Sequence, residues 1–356
     1  MTLDAGGTKF VFSAIQGNRP AVKSFALPSN ADDLERSLGT LLEGFKRVQS
    51  ELPAPAVAIS FAFPGPADYV DGIIVAPPNM PAYRDVALGP ILEEKFGLPT
   101  FINNDGDIFT YGEATAGFLP YVNCLLERAG SRKRFRNLLG VTLGTGFGGG
   151  IVRDGQLFLG DNCVAGEIWL VRNKLDCDTN TEEGASIRAV RRVYAEKTGQ
   201  PYESSPEPKV IYEIAEGRSE GNRAAAQEAF RRMGEVAGDA IAQAITLIDG
   251  LVVIGGGIAG AYRQFLPSIL DAMNGTYASP NGGRFRRLIP KAFNLEDPAQ
   301  LEQFLRGETR EIRVFGSSRT VKFDALLRVG VGISRLGTSE AMAIGAYAFA
   351  LSKIGK

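Results

Sequence analysis

The spacing of apolar and polar positions changes period several times along the chain. After LDAGGTK, the run FVFSAI puts Phe10, Phe12 and Ala14 on one side of an extended strand and Val11, Ser13 and Ile15 on the other. Aromatic and β-branched residues flanking Gly6-Gly7 predict a hairpin. Over residues 31–50 the period lengthens, with Leu34, Leu38, Leu41, Leu42, Phe45 and Val48 on helical spacing. AVAISFAF predicts a buried strand ended by Pro64-Gly65-Pro66, and DGIIVAPP a turn and strand. LGPILEEKFG, residues 88–97, predicts a helix, and LPTFINNDG a short strand that runs into polar residues.

A second pass begins near residue 137. NLLGVTL predicts a strand, GTGFGGG a glycine turn and IVRDGQL a further strand, with helices at about 185–198, 222–249 and 260–273. GLVVIGGGIAG predicts a strand, a triple-glycine turn and a helix start, and GTSEAMAIGAYAFALSKIG a small-residue helix. Strand, glycine turn, strand thus occurs twice, each time leading into alternating strands and helices, which predicts two related α/β halves. Residues 274–335 are less regular and are expected to be an insertion before the terminal helix.

Composition narrows the chemistry. The chain has 356 residues, 44% of them apolar, enough for two cores. Its 39 basic and 40 acidic residues leave a net charge of −1, so neither nucleic acid nor an acidic membrane is an expected partner. The basic run ERAGSRKRFR reads as a solvated helix face or loop. Cys124, Cys163 and Cys177 form no CxxC pair, which fits free thiols in a reducing, cytoplasmic setting. No apolar run approaches a membrane span. Histidine is absent, which excludes His-based nucleophile systems and His metal sites and leaves acid–base work to carboxylates, Lys, Tyr or Cys.

Three glycine turns, at Gly6-Gly7, Gly144 to Gly150 and Gly255 to Gly257, each follow an apolar strand. Glycine lets backbone N–H groups converge on a phosphate, although any one of these could be merely a tight turn. No GxxxxGK[ST] loop occurs, and GTGFGG is followed by a strand instead of a helix, so Walker and Rossmann sites are not expected. What remains is a nucleotide held by hairpin turns. Asp4 could hold Mg²⁺, directly or through water, or simply close the hairpin. Thr8, Thr145 and the glycine N–H groups could take phosphate oxygens. In FINNDGD, Asn103, Asn104 and Asp105 suit a polyhydroxylated ligand, and Asp105 reads either as a base for phosphoryl transfer or as an Asx turn.

Taken together, LDAGGTK, SFAFPGPADYVDG, PPNM, FINNDGD, GVTLGTGFGGGIV, AGE and VVIGGGIAG resemble, in order and spacing, the ROK family of sugar kinases and sugar-responsive repressors. The resemblance runs from residue 3 to about 270 and resumes at EAMAIGAYAFAL. It implies an α/β fold of two ribonuclease-H-like domains of the actin and hexokinase type, with ATP and sugar in the cleft. The expected domains are 1–112, completed by 338–356, and 113–337. It further implies that Asp4, Gly6, Gly7, Thr8, Lys9, Gly144, Thr145 and Gly146 bind the ATP phosphates and Mg²⁺, and that Gly255, Gly256 and Gly257 line the adenosine site. Asp105 would activate a sugar hydroxyl, usually the 6-hydroxyl, while Asn79, Asn104, Glu167 and Glu182 hold others. A homodimer is an arrangement common in such families.

Two departures stand out. Where the family has Gly-His after AGE, this chain has Trp169 and Leu170, and of the family's zinc-binding cysteine cluster only Cys177 remains. No zinc is expected, and the identity of the sugar is left open. Only the three residues MTL precede Asp4, where the family's repressors carry a helix-turn-helix, so direct DNA binding is not expected; a start truncated at Met1 is the other reading. The expectation is therefore an ATP- and Mg²⁺-dependent kinase acting on a hexose or amino-sugar derivative. The alternatives are a non-catalytic sugar sensor on the same fold and a phosphotransferase for a small non-sugar acceptor.

Overall fold

The computed structural model describes residues 1–17 and 19–355. The chain divides into two units, 1–117 with 150–166 and 336–356, and 118–149 with 167–335.

In the first unit the predicted hairpin forms as β1 (Thr2–Ala5) and β2 (Lys9–Gln16), antiparallel, with Leu3 opposite Phe12. The Gly6 N–H donates to the Lys9 carbonyl at 3.1 Å and closes the turn. Phe10, Phe12 and Ala14 are buried, as the alternation predicts. Each fully buried ring contributes about 1.5–3 kcal/mol. β3 (Arg19–Pro28) extends the sheet antiparallel to β2. α1 (Leu34–Glu51) starts at Asp33, whose carboxylate accepts from the Arg36 N–H at 3.1 Å. Its buried stripe of Leu41, Phe45 and Val48 covers the sheet, and Gly44 leaves room for the Phe12 ring. β4 (Ile59–Ala62), α2 (Leu88–Phe96), β5 (Thr100–Asn103) and α3 (Asp105–Thr115) follow. The sheet order is β3-β2-β1-β4-β5, with β1, β4 and β5 mutually parallel. This is the ribonuclease-H-like arrangement.

The C-terminal helix Thr338–Ile354 crosses α3 at glycines. A Cβ on Gly112 would lie 1.9 Å from the Ala341 carbonyl oxygen, and one on Gly345 2.0 Å from that of Ile108. Segment 150–166, expected in the C-terminal domain, packs in the first unit instead. Gly150 seats it against α3, where a Cβ would come within 2.5 Å of the Gly106 carbonyl oxygen.

The second unit holds β6 (Leu138–Leu143), the start of β7 (Phe147–Arg153), β9 (Leu251–Gly255), β10 (Lys291–Asn294) and β11 (Arg328–Ile333), while β8 (Gln156–Leu157) falls in segment 150–166. Their order is β8-β7-β6-β9-β11-β10, with β7 running on into the segment that joins the first unit. β6, β9, β11 and β10 are parallel. The long helix Arg223–Ile248 packs on Tyr262–Met273 through Gly234 and Gly238, which let the backbones approach closely.

Two expectations are corrected here. Only 144–146 form the second glycine turn, since β7 already begins at Phe147 and takes the remaining glycines into the sheet. Nor is 274–335 wholly an insertion, because β10 and β11 are sheet strands. Between and before them lie the helix Pro298–Arg306 and two solvent-facing hairpins, Thr276–Ala278 with Arg284–Arg286 and Thr309–Arg313 with Thr320–Asp324. The basic run around Arg132 is a largely exposed loop. All three cysteines are free. Among the described residues no helix is long and apolar enough to cross a membrane.

Candidate active site

In the first unit, parallel pairing fixes where the polar residues fall. Asp4 on β1 pairs with Ala62 on β4, which pairs with Asn103 on β5. Asp4, Asn104 and Asp105 therefore lie at the same C-terminal edge of three adjacent strands, the edge where ligands bind in such sheets. Asn104 caps α3, its side-chain oxygen accepting from the Gly106 N–H at 2.8 Å. Asp105 Oδ1 accepts from that same N–H at 2.8 Å. Asn103 differs: it is buried at 1% exposure and faces inward, so only two of the three polar residues reach the surface.

The Asp105 carboxyl is raised above the ordinary aspartate range. Loss of hydration is the main cause, the Gly106 N–H pulls the other way, and the Asp4 carboxylate adds to the rise. The residue is nevertheless exposed at the sheet edge. Asp4 is also raised by desolvation, with Lys9 opposing. Two carboxylates close enough to feel each other, one on the first strand and one on the first turn of α3, form an acidic pair at the sheet edge.

The first glycine turn is braced from behind. Ser29 Oγ donates to the Gly7 carbonyl at 2.6 Å, and the Ser29 N–H to the Thr8 carbonyl at 3.2 Å. Ser37 Oγ in turn donates to the Ser29 carbonyl at 2.6 Å and lies 2.7 Å from the Tyr83 hydroxyl. Burial pushes Tyr83 up to about 12, so it stays a neutral hydrogen-bonding group. Gly7, Thr8 and Lys9 remain exposed at the turn. Asn79 borders it, its carbonyl oxygen 3.7 Å from where a Cβ on Gly7 would sit.

In the second unit the turn 144–146 and the turn 255–257 lie together at the C-terminal ends of β6 and β9. A Cβ on Gly144 would be 3.9 Å from the Gly257 nitrogen. Gly256, at φ +91°, approaches the Leu143 backbone more closely than any side chain would allow. Thr145 is exposed at the tip of its turn.

The Glu182 carboxylate, expected to meet sugar, accepts from the Phe147 N–H at 3.1 Å and pairs with Arg188 at 3.0 Å. Arg188 also reaches Glu183 at 3.0 Å and the Thr145 carbonyl at 3.2 Å. Glu182 is thus bonded to the first residue of β7 and linked through Arg188 to the second glycine turn at Thr145. Glu167 precedes a single helical turn, Ile168–Leu170, and the Trp169 indole N–H donates to its carboxylate.

Arg188, Ser29 and Ser37 were not found by sequence reasoning, and Trp169 was noted only as a departure from the family's Gly-His, not as a partner of Glu167. Each makes a contact that no local spacing announces.

Among the described residues no group of three or more Cys, Asp or Glu is gathered to hold a metal. Cys177 is exposed and lacks companions of the kind a structural zinc site needs, so the residues present do not fit zinc.

A model of the ROK family matches residues 1–294. An N-acetyl-D-glucosamine kinase of Vibrio parahaemolyticus serotype O3:K6 is 29% identical over 274 residues, 72% of this chain and 83% of that protein. A glucokinase of Thermotoga maritima is 29% identical over 309 residues, 78% of this chain and 91% of that protein. The crystal structure of a glucokinase from Parabacteroides distasonis superimposes with a TM-score of 0.90 at 52% identity, covering 99% of this chain and 96% of that one. The chain belongs to the ROK family, and the relatives it matches here are sugar kinases.

Proposed function

We propose that this sugar kinase transfers the γ-phosphoryl group of ATP to a hydroxyl, the 6-hydroxyl, of a hexose or amino-sugar derivative, with Asp105 as the general base. The observation that carries the reading is the acidic pair: Asp105 opens α3 beside Asp4 at one sheet edge, at the surface and with a raised carboxyl. A base in phosphoryl transfer must reach the attacking hydroxyl, and its pKa is best placed toward the working pH. Asn104 and Asn79 would hold neighbouring hydroxyls, as would Glu167 and Glu182 from the second unit. Glu182 would have to loosen from Arg188 or bind while paired to it.

Gly6, Gly7, Thr8 and Lys9 in the first unit, and Gly144, Thr145 and Gly146 in the second, would take phosphate oxygens, with Gly255 to Gly257 at the adenosine. Backbone N–H groups and threonine hydroxyls suit that role, because they offset spreading negative charge without titrating. An exposed carboxylate beside another is a donor set that suits Mg²⁺, and Asp4 would hold it through oxygen or water. Bound there, the cation would offset charge on the transferring group.

The reading is tested by substituting Asp105→Ala. The kinase reading expects turnover to fall by about 10²–10⁴-fold with the KM for ATP nearly unchanged. Full activity would sink the assignment of the base. Sugar-induced stabilisation of the wild type without ADP release would favour a sensor, a reading supported by the prior engagement of Glu182.

A further inference from the structure

Trp169 is the sole tryptophan of the chain, and its indole N–H donates to Glu167, two residues before it. A Glu side chain has three free torsions, so a carboxylate meant to receive a ligand gains from being fixed beforehand. The turn that carries both residues is anchored. Ile168 is buried, the Leu170 N–H donates to the Glu167 carbonyl at 3.1 Å, and the Val171 N–H to that of Ile168 at 3.2 Å.

The loop beyond is closed by polar groups. Buried Asn173 donates from its backbone to the Thr179 carbonyl at 3.0 Å and from its side chain to Thr179 Oγ1 at 3.2 Å. Thr181 ties back to the Val171 carbonyl at 2.7 Å through both its N–H and its hydroxyl. An indole N–H only donates and offers one proton, so it engages one oxygen of the Glu167 carboxyl group and leaves the other for a ligand.

We propose that Trp169 is a positioning residue that sets Glu167 to accept a sugar hydroxyl, on a loop held by Asn173, Thr179 and Thr181. The proposal rests on the reading of Glu167 as a sugar ligand and adds to it how that ligand is held. It also makes Trp169 an intrinsic fluorescent reporter of sugar binding.

The experiment compares the wild-type chain with Trp169→Phe and Glu167→Gln, using hexoses and N-acetylhexosamines as probes. In Trp169→Phe, which keeps an aromatic ring but loses the N–H, the sugar KM is expected to rise about tenfold, with kcat and the ATP KM nearly unchanged. Adding Glu167→Gln to it should cost less than the sum of the two single effects. Wild-type emission should change on sugar binding with a midpoint at the KM, and the change should vanish in Glu167→Gln. A sugar KM unmoved in Trp169→Phe, or emission blind to saturating sugar in an active enzyme, overturns the proposal. A Trp169→Phe chain with altered ATP KM and melting is set aside as misfolded, and the wild-type emission titration decides. If no sugar is phosphorylated, the kinase reading fails on its own; the same titration still decides between Glu167-dependent emission change, which supports the proposal, and none, which overturns it.

Discussion

Asp105 is subject to opposing demands. Transfer needs its carboxylate ionised, whereas lost hydration and the nearby Asp4 favour the protonated form. Its pKa lies above the ordinary value of 3.8. The acid limb of kcat/KM should therefore fall at a pH higher than an ordinary aspartate would give, since kcat/KM reports the free enzyme. A pH–rate profile checks this, and a limb at or below the ordinary value would contradict the desolvation of Asp105. The same shift bears on stability. A carboxyl raised in the folded state favours folding when protonated, and that contribution is lost as pH rises through the folded pKa. At neutral pH, Asp105→Asn should accordingly raise the melting temperature relative to the wild type, and the gap should close as pH falls below the unfolded value. At this scale the sequence was legible where polar residues follow an apolar strand directly, as Asn104 and Asp105 do. It was silent on Arg188, because a side chain that reaches from 188 back to 145 leaves no local periodicity. It misled at Asn103, because the strand end is buried on both faces, Ile102 on one and Asn103 on the other.

At the scale of elements, alternation made the first hairpin readable and helical spacing made α1 readable. β11 escaped because RVGVGI carries two glycines, which read as breakers in isolation. In the fold they sit under packed side chains: a Cβ on Gly330 would come 2.6 Å from the end of the Leu295 side chain, and one on Gly332 2.5 Å from the Phe118 ring. The same reasoning predicts opposite outcomes for two helical glycines. Gly345→Ala would push a methyl into the Ile108 carbonyl and should cost about 1–3 kcal/mol. Gly39→Ala, on α1 with nothing within 4 Å, should stabilise by about 0.5–1 kcal/mol. Urea midpoints at constant m-value would check both. Equal effects of one sign would show that close packing of the C-terminal helix on α3 is not what fixes Gly345.

For the whole molecule, family membership and the absent histidine point in different directions. The family is one of sugar kinases, yet the loop after Glu167 is closed by the hydrogen bonds of Asn173, Thr179 and Thr181. Treatment with a zinc-selective chelator, with Mg²⁺ kept in excess, should leave melting temperature and activity unchanged. A fall restored by zinc would show a metal site in that loop. The most direct test of the central claim is an ADP-release assay with ATP, Mg²⁺ and a panel of hexoses and amino sugars, run on the wild type and Asp105→Ala with the sugar product analysed. Sugar-dependent ADP release with formation of a sugar 6-phosphate, lost by about 10²–10⁴-fold in Asp105→Ala, is the predicted result. Sugar binding without ADP release, or full turnover in Asp105→Ala, would contradict it.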